Sequence, residues 1–123
     1  MTRTIRRIAG LAGILLVGAA PVARAATLHT PAYFSGPNGQ VNCLIANVTN
    51  TPLQYRACSV DQGGDDHTCD SRTLFAGEAF IFVGGSGFTS FRCRFEVPNA
   101  KAVRAAMVVT GFSGTPLVSF DAR

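Results

Sequence analysis

The sequence predicts an all-β domain: an antiparallel β-sandwich of immunoglobulin-like type, with about seven or eight short strands and two disulfides. Three observations predict it. Stretches alternate apolar and polar residues with period two, whereas no long stretch holds apolar residues at i, i+3, i+4 and i+7. Glycine and proline, thirteen and six of them, break the chain into segments of strand length. Four cysteines stand in an exported chain, an even number that reads as a disulfide framework.

Residues 1–25 are expected to be a cleaved signal peptide, and residues 26–123 a single β-sandwich domain. Met1 to Arg7 carries three arginines and no acid, and Ile8 to Ala20 is an unbroken run of apolar residues and glycine. Pro21 ends the run, and Ala23-Arg24-Ala25 supplies small residues ahead of Ala26. This is the order of charge, apolar centre and A-x-A site in a secretory signal. The run is 13 residues long. A helix needs roughly 20 to cross a bilayer, which weighs against an uncleaved anchor. The flanks of Arg6-Arg7 suit general secretion better than twin-arginine export. No membrane span is expected after cleavage, and the domain is expected to be secreted or periplasmic.

Removing the leader changes the electrostatics. The precursor carries +4. Arg3, Arg6, Arg7 and Arg24 leave with the leader, and all seven acids lie after it, so seven cations face seven acids and the net charge is zero. A neutral domain has no global field to steer it to nucleic acid, and no nucleic-acid partner is expected. The remaining 98 residues suit one domain with a modest core.

The expected strands follow in order. Thr27 to Thr30 is the first, and Gln40 to Val48, carrying Cys43, is the second. Asn47 to Pro52 is rich in residues that bond their own backbone, which marks a turn. Leu53 to Val60 places Leu53, Tyr55 and Ala57 on one face and Gln54, Arg56 and Cys58 on the other. Asp61 to Asp70 reads as the longest polar loop. Arg72 to Phe75 and Ala79 to Val83 are short strands, and Gly84 to Gly87 reads as a flexible connection. Ser90 to Val97 alternates most clearly, with Phe91, Cys93, Phe95 and Val97 inward. Ala102 to Thr110, with Val103, Ala105, Met107 and Val109 inward, is expected to form an antiparallel hairpin with it. Pro116 to Asp121 is the last strand.

Four cysteines allow three pairings. Strand phase favours Cys43–Cys93 across the core, since both share a face with large apolar residues. Cys58 and Cys69 then pair locally around the polar loop. The absence of any C-x-x-C pair ranks down structural zinc and thioredoxin-like chemistry.

Other chemistry is sparse. Asp61, Asp65, Asp66 and Asp70 with intervening glycines form a weak calcium candidate, although the spacing is not that of an EF-hand. Ser86 and Ser113 sit in glycine-rich contexts that do not complete G-x-S-x-G, because Phe88 and Thr115 fill the last place. His29 and His67 are the two histidines open to a base's role, and neither has a motif around it. Glu78 and Glu96 are the two glutamates, too little to define a glycosidase pair. Arg92, Arg94 and Arg104 are weak binding candidates, a basic stripe expected on the exposed face of the hairpin. Ala79 to Val83 is apolar on both faces, which marks either a covered strand or an interface. Asn47-Val48-Thr49 matches the glycosylation acceptor pattern. No cofactor is expected.

Cys43-Leu-Ile-Ala-Asn47, Cys93-Arg94-Phe95 and Val103-Arg104-Ala105 resemble the C-x-x-x-N, C-R-F and V-R-A pattern of a loose group of small exported bacterial proteins. The resemblance spans most of residues 40–110. It implies a β-sandwich with Cys43 and Cys93 paired, assigns no activity, and does not include Cys58 and Cys69.

The expected role is therefore that of a non-enzymatic binding or structural protein of the bacterial envelope or secretome, engaging an unknown protein or envelope partner. A small secreted hydrolase or calcium-dependent enzyme using the Asp61–Asp70 loop is the alternative from another class. A fimbrial-type subunit completed by a donated strand is a third.

Overall fold

The computed structural model describes residues 25–111 and 113–123. The leader assigned to residues 1–25 lies outside them, apart from Ala25. Among the described residues seven strands are present: β1 (Ala26–His29), β2 (Tyr33–Asn47), β3 (Leu53–Val60), β4 (Asp66–Leu74), β5 (Ala79–Val97), β6 (Val103–Gly111) and β7 (Pro116–Asp121). A single 3-10 turn, Ala100–Ala102, is the helical element among the described residues. The protein is all-β and antiparallel throughout, an immunoglobulin-like sandwich closed by two disulfides.

Strand β5 decides the architecture. Its first half pairs with β2, from Ala79 opposite Ala46 to Ser86 opposite Gln40, and opens a sheet ordered β5-β2-β6-β7. Its second half pairs with β3 on one side and, on the other, with the start of β2 (Tyr33 opposite Phe91, Phe34 opposite Ser90) and then with β1, and β4 extends this second sheet. The two strands expected at Ala79–Val83 and Ser90–Val97 are thus one strand of 19 residues. Gly84 to Gly87 is where it passes between sheets, not a flexible link.

The glycines there are needed for packing. A Cβ on Gly85 would fall 2.5 Å from the Phe91 ring. One on Gly84 would fall 2.9 Å from the Ser59 Cβ and 3.3 Å from the Cys43 sulfur. The Ser59 hydroxyl, fully buried, donates to the Gly84 carbonyl at 2.6 Å and accepts from the Thr68 amide at 3.1 Å. The crossing is therefore tied to β3 and β4 by a satisfied polar group.

The inward faces match the period-two reading. Phe91, Cys93, Phe95 and Val97 are buried, as are Val103, Ala105, Met107 and Val109. The expected hairpin between these strands is not formed, however. β6 pairs with β2 and β7. Pro98 to Ala102 carries the chain from one sheet to the other, so the two apolar faces meet across the core rather than lying side by side. Neighbouring strands usually pair. Here both strands need the same core, and facing it from opposite sheets satisfies both.

Cys43 and Cys93 bridge the sheets through that core, with Cα atoms 5.8 Å apart. Cys58 and Cys69 stand directly opposite on β3 and β4, with Cα atoms 4.1 Å apart. On one side the sandwich is closed by backbone. The Arg123 amide donates to the His29 carbonyl, and the His29 amide to that of Arg123, at 3.0 and 2.9 Å.

Two stability results are expected. Gly85→Ala drives a methyl into Phe91 and should cost about 1–3 kcal/mol, the usual range for overpacking, read as a lower urea midpoint at unchanged slope. Loss of the core disulfide by Cys43→Ala with Cys93→Ala releases a 50-residue separation, against 11 for the other bridge. The chain-entropy relation then gives about 4 against about 3 kcal/mol. Equal losses in the two double variants would overturn the loop-length argument.

Candidate interaction surface

The acidic segment is not the loop it resembles in sequence. Only Asp61 to Asp65 forms a turn, and β4 begins at Asp66. The Asp61 carboxylate accepts from the Gly63 and Asp65 amides at 2.9 and 3.0 Å, which explains the turn without an ion. Asp66 projects from the outer face of the β3-β4-β5 sheet and pairs with Arg94 at 2.9 Å, with Arg56 3.8 Å away. Asp70 points the other way. It accepts the Tyr55 hydroxyl at 2.5 Å and a two-point contact from Arg72 at 3.0 and 3.1 Å. Among the described residues, the one cluster with ligand atoms close enough for a metal is Cys58, Asp66 and Cys69. Two of its three members are consumed by a disulfide.

The titration behaviour follows from these partners. The Arg94 hydrogen bond holds the Asp66 carboxyl below the usual carboxylate range. Burial pushes Asp70 up, but the hydrogen bonds from Arg72 and Tyr55 outweigh it and hold this carboxyl low as well. Burial, followed by the hydrogen bond to Asp70, pushes the Tyr55 hydroxyl well above its ordinary value. The Arg72 guanidinium also lies 3.4 Å over the Phe80 ring. Tyr55, Asp70, Arg72 and Phe80 thus form a plug on the open side of the sandwich, between β4 and the start of β5.

The basic stripe does not form. Arg92 and Arg94 alternate outward on the second half of β5, in one sheet, while Arg104 is exposed on β6, in the other. The missing β5–β6 hairpin is the reason. Arg94 is held between Asp66 and Glu96.

The serines and histidines stay apart. Ser86 and Ser113 line one depression with Pro37, Asn38, Gln40 and glycines, without histidine or carboxylate. His67 lies against Phe91, with ring centroids 5.0 Å apart. His29 borders a groove with Ser119 and Asp121. No hydrogen bond joins those three among the described residues.

Asn47 is 2% exposed. Its amide nitrogen donates to the carbonyls of Thr51 and Leu74, and its oxygen accepts from the Thr49 amide and hydroxyl. In the folded chain this side chain leaves no room for a glycan and serves the turn instead. This asparagine anchors the end of β2 to the turn after it and to the end of β4.

What remains is apolar surface. The first half of β5 is the outer strand of its sheet, and no strand pairs its far side among the described residues. Phe80 and Phe82 turn towards the core, while Ile81 and Val83 face out, 50% and 49% exposed. Register places Leu44 beside Ile81 and Ala106 beyond it, with Val108 in the next row. These residues share the outer face of the sheet, opposite the fully buried Val41, Cys43 and Ile45. The run Ala79 to Val83 already reads as apolar on both faces in the sequence. Its neighbours Leu44, Ala106 and Val108 become visible only with the register.

No protein-family model and no curated protein matches the chain. Its fold is similar to the crystal structure of Thermotoga maritima 1070, with a TM-score of 0.58. That likeness covers 81% of this chain and 94% of the other at 7% identity, and it bears on fold alone.

Asp70→Ala should test the plug. Tyr55 loses its acceptor and Arg72 its anchor; the exposed Arg72 pair is screened by solvent, so the loss is that of the part-buried Tyr55 bond, about 1 kcal/mol near pH 7. The folded carboxyl titrates below its unfolded value of about 4. Its stabilisation is therefore complete above that pH and lost as the pH falls through the lower folded value. Urea melts of both proteins should differ near neutrality and converge in acid. A difference that persists in acid would show that ionisation is not its source.

Proposed function

We propose that this protein is an exported, non-enzymatic binding module that docks a polypeptide along the free edge of β5 and the apolar face beside it. The observation that carries the reading is Ile81 and Val83, half-exposed on a strand whose far side has no partner among the described residues. A free strand offers its backbone hydrogen-bonding groups to an added strand, and alternate apolar side chains supply the contact. Export is supported by the leader-like order of residues 1–25 and by two disulfides, which belong to an oxidising compartment. No helix among the described residues is long and apolar enough to cross a membrane. The exported group that the cysteine and arginine motifs resemble agrees with a secreted or periplasmic site.

The carboxylates support the non-enzymatic part. Asp66 and Asp70 are each engaged by arginine and held ionised, whereas a general acid working near neutral pH needs its pKa raised towards that pH. Plugging of the open side by Arg72 on Phe80 favours addition at the sheet edge over insertion of a donated strand between the sheets.

Site-specific photo-crosslinking in the producing cell tests this reading. A photoreactive residue at Val83 should yield a crosslinked polypeptide from the exported fraction, and one at Gln54, on the other sheet, should not. Peptide mass spectrometry of the same fraction should find Ala26 as the N-terminus. Equal crosslinking at both positions, or none at Val83, would sink the docking surface. A retained Met1 would sink export.

A further inference from the structure

We infer that the polypeptide docked on the β5 edge is a second copy of this chain, paired antiparallel about a two-fold axis through Ile81. The inference rests on the reading of that edge as the docking surface.

The other edges carry devices that block strand addition, and this one does not. β4 bears Asp66, Asp70 and Arg72, with Asp70 and Arg72 at the rim of the core-facing side, against Tyr55 and Phe80. β7 begins at Pro116 and ends at Asp121. The free side of β1 is taken by Arg123. Charges, proline and covered backbone are the usual protections of an edge. Ala79-Phe80-Ile81-Phe82-Val83 has no charge, proline or glycine.

The segment also matches itself. Around Ile81, an antiparallel copy sets Ile81 opposite Ile81, Phe80 opposite Phe82 and Ala79 opposite Val83. Every pair is apolar, and both members lie on the same face because register preserves the side-chain alternation. The next pair sets Glu78, the nearest charge, opposite Gly84, so no like charges meet. A two-fold contact of this kind closes on itself and gives a dimer instead of a fibre. Residues 26–123 carry no net charge with neutral histidine, so two copies approach without long-range repulsion.

Sedimentation velocity on the purified, disulfide-bonded protein over a concentration series tests this. The expected result is a monomer–dimer equilibrium. Ile81→Lys places two like charges opposite each other on the axis and should abolish the dimer. Thr73→Lys, on the exposed β4, should leave it intact. Circular dichroism checks that each variant folds, and Val83→Lys, at a position equally exposed, replaces Ile81→Lys if that variant does not fold. A protein monomeric at every concentration overturns the inference, as does a dimer that survives both edge variants. A Val83 crosslink to a different polypeptide, from a protein that stays monomeric, would overturn the second copy alone and leave the docking surface standing.

Discussion

One strand serving two sheets is the constraint on which the structure depends. β5 can leave one sheet and enter the other only where its backbone touches the core without side chains of its own. Gly84 and Gly85 provide that place, against Ser59, the Cys43 sulfur and the Phe91 ring. The disulfide from Cys43 to Cys93 sits at the same crossing and joins β2 to the second half of β5. A small domain buries a limited share of its surface, so a covalent tie between its sheets offsets what a modest core cannot supply. Strand continuity, disulfide and glycine packing thus act on one point, and the rest of the sandwich is built out from it.

The edges follow from the crossing. In its second half β5 is an interior strand, with β3 on one side and the start of β2 and β1 on the other. In its first half it is an outer strand whose one neighbour among the described residues is β2. The same strand is therefore protected at one end and open at the other. The side of the sandwich near the termini is shut by backbone pairing of Arg123 with His29. The opposite side is shut only by side chains, with Arg72 on Phe80 and Tyr55 on Asp70. Polar groups that look available in the sequence are spent on these closures: Ser59 at the crossing, Asn47 at the end of β2, Asp70 in the plug, Asp66 against Arg94.

Period-two patterns made the faces legible. Phe91 to Val97 and Val103 to Val109 point inward as alternation requires, and the disulfide pairing follows from that phase. Pairing partners were not legible, because alternation says which way a side chain points and nothing about which strand lies beside it. Ser90–Val97 and Ala102–Thr110 are close in sequence and both apolar inward. That fits a hairpin, and it fits equally the facing strands that the structure contains. A stripe of Arg92, Arg94 and Arg104 requires that hairpin, and without it the three are divided between the sheets. The polar run from Asp61 to Asp70 misled for a different reason. Edge strand β4 needs few apolar residues and gains from charges that resist strand addition, so it is as polar as a loop.

The low-titrating carboxylates show how a perturbed group is weighed. Perturbed pKa values cluster at functional sites, but structural ion pairs perturb them too. Here both shifts come with partners that belong to the fold's own closures. A carboxyl prepared to give up a proton near neutral pH is desolvated with its proton retained, so its pKa rises. Asp66 and Asp70 are shifted the opposite way by arginine and tyrosine donors. Near neutral pH they act as ionised acceptors that fix neighbouring side chains. Polar chemistry of this kind rigidifies a sandwich, and what it leaves uncommitted is backbone at a strand edge and apolar surface. In this fold both are exposed together along the first half of β5.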